Sequence, residues 1–183
     1  FYSEREIIRL LLKYGSLELE RTMRPEDGQE EITTVSDFIV REITEDELDF
    51  EQDTCAKIFE EFRFHSEQGI FPGDKHFVLH PDPEISGLSA GLLAESHELS
   101  RIWKDKQTYV ETEEMKLREI VPDSVLKFKS DKIKFILKDI MAQLEEAVKE
   151  GDMEKVLALQ KKDLNLKAAL RMISEKLGNR ILL

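Results

Sequence analysis

The feature that most constrains the fold is a pair of long helical patterns near the C-terminal end, separated only by Gly151 and Asp152. From Pro122 to Lys149 no residue breaks the first pattern, which predicts a helix of about 28 residues, or roughly 42 Å. Gly151 is suited to end that helix in a left-handed conformation, and Asp152 is suited to cap the next one. The second pattern continues to Gly178, so the sequence predicts an antiparallel αα-hairpin.

Apolar residues recur along both arms of this hairpin at near-heptad spacing, as expected for two helices that pack against each other. Burial of about a dozen such side chains gains on the order of 20 kcal/mol, which is less than the cost of ordering roughly fifty residues. The hairpin therefore needs a bundle or a partner to be well ordered. The predicted seam consists of Ile133, Ile136, Leu137, Ile140, Met141, Leu144 and Val148 in the first arm, and Leu159, Leu166, Leu170, Ile173 and Leu177 in the second.

The rest of the chain also shows helical patterns almost throughout, with few Gly and Pro residues. We predict an all-α fold in which residues 1–122 form a helical bundle and residues 123–183 form a long connecting helix and the antiparallel hairpin. Pro122 marks the predicted boundary, because the residue before a proline disfavours helix. We expect variable hairpin orientation around Pro122 and Lys127–Ser130; the alternative is one rigid continuous unit.

Short polar residues predict where the helices begin, and Gly15 and Gly69 predict where two of them end. Residues 24–33 are acidic and aperiodic, which predicts a loop. Small residues between Gly87 and Gly91 indicate either close helix packing or a weak helix. The predicted N-caps are Thr34, Asp49, Asp74, Asp82, Ser96 and Thr112. Asp74 would begin a short helix, for which an extended segment is the alternative.

The net charge of −12 is unevenly distributed along the chain. Residues 1–122 hold 14 Lys and Arg against 29 Asp and Glu, whereas residues 123–183 hold 13 against 10. A strongly negative bundle repels phosphate backbones, so we expect no direct nucleic-acid contact by residues 1–122. The mildly basic remainder either faces an acidic surface or consists of ordinary solvated helix faces.

The histidines do not follow a known metal-binding pattern. A di-iron bundle needs Glu three residues before His, and this is absent at His65, His76, His80 and His97. His76 and His80 share i,i+4 spacing, but the sequence offers no third ligand. The lone Cys55 excludes a zinc cage of several cysteines and indicates a buried apolar position. We therefore expect no metal in this chain.

No nucleophile–base pair, Gly-rich phosphate loop or calcium-loop pattern is present in the sequence. We expect no catalysis and no cofactor, which favours a protein–protein interaction module. The alternative is a small helical enzyme or cofactor-binding bundle with an unrecognised site. No apolar run approaches the ~18 residues that span a membrane. A single cysteine fits a cytoplasmic setting, and the start without methionine suggests a fragment of a longer protein.

Several segments, in their order along the chain, resemble a known family: "EREIIRLLLKYG", "VSDFIVREI", "IFEEFRFHSEQG", "HPDPEISGLSAGLL", "ELSRIWKD" and "LKAALRMISEKLGNRILL". They resemble the C-terminal helicase-binding domain of bacterial DnaG-type replicative DNA primase, in the form found in Bacteroidetes-like sequences. The resemblance covers essentially the whole chain, although each motif alone is loose. It implies a non-catalytic domain whose hairpin docks on N-terminal domains of the hexameric replicative helicase and couples primer synthesis to unwinding. The zinc-binding and polymerase domains of such a primase would lie upstream.

A small apolar patch edged by cations lies near the end of the second arm. It fits helix-mediated recognition with a polar rim. The alternative is frayed terminal residues with ordinary solubilising charge. The predicted helicase-binding residues are Arg171, Met172, Lys176, Arg180, Ile181 and Leu182.

Overall fold

A computed structural model of the chain describes residues 2–23, 30–104 and 112–178. The chain divides into two compact units, Phe1–Val125 and Leu126–Leu183. The described residues are predominantly helical, which confirms the predicted all-α class. The elements are α1 (Tyr2–Tyr14), β1 (Glu18–Met23), β2 (Glu30–Thr34), α2 (Val35–Glu45), α3 (Asp53–Glu67), α4 (Asp74–Val78), α5 (Pro83–Lys104), a 3-10 turn (Glu113–Lys116), α6 (Leu117–Glu150) and α7 (Met153–Lys176).

The core of the first unit is built from the predicted helical stripes. Helix α1 is buried on most of its surface, because it packs against α2, α3, α4 and α5. The ring of Phe62 stacks on that of Phe77 at 4.7 Å between centroids, which joins α3 to α4. The fully or nearly fully buried side chains of the first three helices include Ile7, Ile8, Leu11, Val35, Ile39, Ile43, Cys55, Ile58, Phe59 and Phe62.

Two strands depart from the helical prediction. Strands β1 and β2 pair antiparallel, with Arg21 opposite Ile32 and an irregularity between Glu18 and Glu20. The predicted loop 24–33 is therefore wrong at residues 30–33, whereas residues 24–29 lie outside the described part of the chain. The strands carry few apolar residues, so alternation gives little signal. Tertiary contacts hold β1 instead: Leu19 is fully buried, and its carbonyl accepts a hydrogen bond from Arg118 Nε at 3.0 Å.

The cap predictions have mixed outcomes. Thr34 caps α2 in a reciprocal capping box with Asp37, and Asp82 accepts a hydrogen bond from the backbone N–H of Glu84 at 2.9 Å, just before α5 begins. The short helix α4 is confirmed, but its N-cap is Gly73 rather than Asp74. Thr112 precedes the 3-10 turn without a side-chain cap bond.

The predicted cap at Asp49 is wrong, because α3 begins four residues later, at Asp53. The side chain of Glu4, on α1, explains the late start. Its carboxylate is only 1% exposed and accepts hydrogen bonds from the backbone N–H groups of Glu51 at 2.8 Å and Gln52 at 3.1 Å. These bonds hold the segment before α3 in a non-helical conformation.

Helix α5 is continuous from Pro83 to Lys104, so the predicted new start at Ser96 is wrong. No glycine or proline lies between Gly91 and the end of this helix, and a serine is tolerated inside a helix. A Cβ placed on Gly87 or Gly91 would meet no atom within 4 Å. Close helix packing is therefore absent at these two glycines, although Ser89 between them is fully buried.

Helix α6 runs through Pro122 without ending, so the predicted helix break there is wrong. A proline at this position removes the backbone hydrogen bond to Arg118. Leu117, Val121 and Val125, spaced four residues apart, are all buried, and their burial offsets the lost bond. The domain boundary and the variable hairpin orientation stay predictions.

The second unit contains the predicted turn between α6 and α7. Gly151 has a φ of 73° and ends α6. The Asp152 side chain accepts a hydrogen bond from the backbone N–H of Lys155 at 3.0 Å and caps α7. Gly178, with a φ of 65°, follows the end of α7 as predicted. With only two residues between them, the helices form the αα-hairpin.

Buried residues recur at spacings of seven positions on α6 and fourteen on α7. Ile133, Ile140 and Ala147 are buried on α6, and Val156 and Leu170 are buried on α7. This pattern is that of two antiparallel helices whose buried rows face each other. We call these five residues the seam.

Of the twelve residues predicted for the seam, Ile133, Ile140 and Leu170 are buried, seven others are half-buried, and two lie outside it. Met141 and Val148 are exposed, whereas Ala147 is fully buried. Near-heptad spacing did not distinguish neighbouring positions, and alanine gives a weak hydrophobic signal. Asp163 occupies the seam position between Val156 and Leu170, with its side chain only 15% exposed.

Candidate functional site

Three of the predicted helicase-binding residues lie on the last turns of α7. Met172 is 63% exposed, and Arg171 and Lys176 are also exposed. Arg171 Nε donates a hydrogen bond to Glu175 at 3.2 Å, so its charge is partly paired. Met172 is therefore exposed with two cations nearby, and its role in partner binding stays a prediction. Arg180, Ile181 and Leu182 lie outside the described residues.

A second apolar surface on the hairpin was not predicted. Five large apolar side chains near the turn are each between 60 and 70% exposed. An exposed apolar patch shared by two packed helices is a common feature of interaction sites. We call this set the hairpin face: Met141 and Val148 on α6, and Met153, Leu157 and Leu164 on α7.

A polar network in the first unit surrounds Glu113, in the 3-10 turn. Its carboxylate accepts hydrogen bonds from Tyr14 at 2.6 Å, from Lys13 at 3.2 Å and from two nitrogens of Arg9. Arg9 also donates two bonds to Glu6. The network joins α1 to the start of the turn that leads into α6.

The network perturbs the protonation of its members. Burial alone would raise the pKa of Glu113, but the hydrogen bonds from Arg9, Tyr14 and Lys13 outweigh it and lower the pKa to about 2. Burial, followed by the bond to Glu113, raises the pKa of Tyr14. A tyrosine held protonated against a carboxylate acts as a hydrogen-bond donor and not as a nucleophile. The arrangement is therefore a structural clamp.

A second polar cluster joins α3 to α4. His76 Nε2 lies 2.8 Å from one oxygen of Glu61, and His80 Nε2 lies 3.0 Å from the other. The backbone N–H of Asp82 donates to His80 Nδ1 at 3.0 Å, so neutral His80 carries its proton on Nε2, the nitrogen that lies beside Glu61. The sequence paired the two histidines but missed Glu61, because it lies on another helix.

The histidine cluster does not form a metal centre as it stands. Within residues 2–23, 30–104 and 112–178, no three His, Cys, Asp or Glu side chains are placed to hold a metal ion. The Nε2 atoms of both imidazoles lie next to the Glu61 carboxylate. The cluster ties α4 to α3 through one shared carboxylate.

A surface cleft of about 270 Å³ lies between α2 and α3 and includes Arg41, Arg63 and Ser66 in its lining. Its volume is below the ~300 Å³ that marks the small end of ligand pockets. Ser66 donates to Asp37 at 3.3 Å across the cleft. The cleft is therefore a weak candidate for a ligand site. The exposed apolar side chains of the hairpin are a stronger candidate for a protein contact.

Comparison with known proteins identifies a family without a known function. A family model described as "Domain of unknown function (DUF8430)" matches residues 2–181. No curated protein and no solved structure matches the chain. Among the described helices, none has the length and apolar character needed to cross a membrane.

Proposed function

We propose that this chain, which belongs to the DUF8430 family, is a non-catalytic protein–protein interaction domain that docks through its helical hairpin. The observation that carries the proposal is the exposure of Met172 beside Arg171 and Lys176 on α7. An apolar side chain of this size gains free energy when a partner covers it, and flanking cations select the partner by charge.

The partner in this proposal is the hexameric replicative DNA helicase, and the reaction supported is primer synthesis by the parent primase. This choice rests on the resemblance of the sequence segments to the helicase-binding domain of DnaG-type primases. In that setting the domain works in the cytoplasm and carries no cofactor of its own. The catalytic polymerase belongs to another part of the parent protein.

Binding to the replicative helicase of the same organism tests the proposal, with size-exclusion chromatography as the assay. We expect the wild-type chain to elute with the helicase, and Met172→Glu to lose co-elution because a carboxylate replaces the apolar contact. The double change Arg180→Glu with Ile181→Glu should also abolish the complex while helicity measured by circular dichroism is unchanged.

Lys162→Glu is the matched control, because it reverses an exposed charge elsewhere on α7. We expect it to bind like the wild type. Unchanged affinity in Met172→Glu and in the double variant would overturn the proposed surface. No complex with the wild-type chain would overturn the helicase as the partner.

A further inference from the structure

The two rows of the hairpin face lie on the same side of the hairpin. At 100° per residue, Met141 and Val148 point about 90° away from the seam of α6. The three hairpin-face residues of α7 point about 100° away from its seam, and both rotations run in the direction of increasing residue number. Because the helices run antiparallel, equal rotations carry both rows to one side. Met172 lies about 180° from the seam of α7, on its outer edge, and eight residues, or roughly 12 Å, beyond Leu164 at the far end of the face.

The spacing within the hairpin face is self-complementary. On α7, the midpoint between Met153 and Leu164 lies about seven residues, or roughly 10 Å, from the turn. On α6, the midpoint between Val148 and Met141 lies at the same distance from the turn. A two-fold axis across the hairpin at that height places Met153 against Leu164 of a second copy. The same axis places Val148 against Met141 of the second copy, and Leu157 close to its own equivalent.

Charges on the outer edge of α7 complement each other under the same operation. Glu154 and Lys161 are exposed, and neither forms an ion pair with another described residue. Their midpoint lies about one residue from the same axis, so Glu154 of each copy comes beside Lys161 of the other. The edge of α6, with Lys138, Glu145 and Lys149, is mixed in sign and adds little net attraction.

We propose that the hairpin face is a dimer interface, covered by the hairpin face of a second copy of this chain in an antiparallel, two-fold arrangement. The apolar residues of α6 and α7 in one copy then pack against those of the second copy. The contact contains four helices, since each hairpin contributes two. A two-fold contact is favoured because one self-complementary patch supplies both sides. This inference does not depend on the helicase proposal, which uses Met172 on another side of α7.

Sedimentation equilibrium of the purified chain, from low micromolar to several hundred micromolar protein, tests the dimer. We expect reversible dimerisation by the wild type. In Leu157→Glu the dissociation constant should rise at least about 30-fold, because two carboxylates would be buried near the axis. Met172→Glu is the matched control and should dimerise like the wild type.

Charge reversal and cross-linking test the arrangement itself. Lys161→Glu should weaken the dimer about fivefold, and adding Glu154→Lys should restore it. In Leu157→Cys, oxidation should link two chains, whereas Met172→Cys should remain unlinked; the native Cys55 is buried and does not compete. A wild type that stays monomeric throughout, or equal weakening by Leu157→Glu and Met172→Glu, would overturn the inference. Neither outcome bears on helicase binding, which is measured in the separate co-elution experiment.

Discussion

The hydroxyl of Tyr14 donates a hydrogen bond of 2.6 Å to the carboxylate of Glu113, 99 residues further along the chain. Arg9 and Lys13 bind the same carboxylate from the same helix. One acidic side chain therefore fixes the 3-10 turn against α1.

Glu113→Gln should destabilise the chain at pH 7 by on the order of 1–2 kcal/mol, a value reduced for solvent screening of a partly exposed carboxylate. The pKa of Glu113 falls from 4.5 to about 2 on folding, so its contribution is complete above pH 4.5. It is lost as the pH falls toward 2, where the folded state also protonates. Urea unfolding across this range should show the wild type approaching the variant.

Glu114→Gln is the control for this experiment, because Glu114 is the exposed neighbour in the same turn. We expect the control to match the wild type within about 0.5 kcal/mol at every pH. A constant difference between wild type and Glu113→Gln from pH 7 to pH 2 would contradict the clamp.

Glu4→Gln should destabilise the chain by roughly 1–3 kcal/mol, because an amide supplies only one acceptor oxygen to the two N–H groups that precede α3. Its NH₂ group would also face a donor in a buried position. The free energy of unfolding in urea measures the effect. Glu45→Gln, at an exposed position of α2, should be neutral, and equal stability of both variants would rule out the buried cap.

Gly15→Ala and Gly87→Ala should change stability in opposite directions. A Cβ on Gly15 would clash with the carbonyl oxygen of Leu11 and with the ring of Phe71, which predicts a loss of about 1–3 kcal/mol. At Gly87 the same atom meets open space. Alanine there should stabilise α5 by about 0.5–1 kcal/mol. The midpoints of thermal unfolding of the two variants, compared with that of the wild type, measure these effects. A shift of both midpoints in the same direction would contradict the packing described for the two glycines.

Asp163→Leu should stabilise the hairpin by about 1 kcal/mol or more. One oxygen of Asp163 pairs with Lys167 at 2.8 Å, whereas the other is buried and has no hydrogen-bond partner among the described residues. An apolar residue at this seam position removes an unsatisfied group and extends the heptad. Asp131→Leu, at an exposed position of α6, should leave the free energy of unfolding unchanged. A lower free energy of unfolding in Asp163→Leu would contradict the placement of residue 163 in the seam.

Local chemistry predicted those parts of the fold that depend on neighbouring residues. The N-cap at Thr34, the positive φ at Gly151 and the cap at Asp152 were predicted because each needs only a few adjacent positions. Helical stripes were predicted for the same reason. Boundaries that depend on distant partners were missed: Glu4 delays α3, and burial of Val121 and Val125 carries α6 through Pro122.

The candidate sites divide in the same way. Exposure of Met172 beside cations was predicted, because a residue off the main stripe points away from the seam. The hairpin face was missed, because Met141 and Val148 fit a near-heptad pattern as well as the buried Ala147 does. The shared carboxylate of Glu61 was also missed, since no local spacing connects it with His76 and His80.

By itself, the sequence determined that this protein is helical, that two long helices meet at Gly151 and Asp152, and that acidic residues concentrate before the hairpin. These properties follow from intrinsic propensities, caps and charge, which act over a few residues. Only the tertiary structure decided that an acidic segment pairs as two strands and which apolar side chains of the hairpin are left exposed. Burial depends on what packs from elsewhere in the chain, and periodicity alone does not specify that partner.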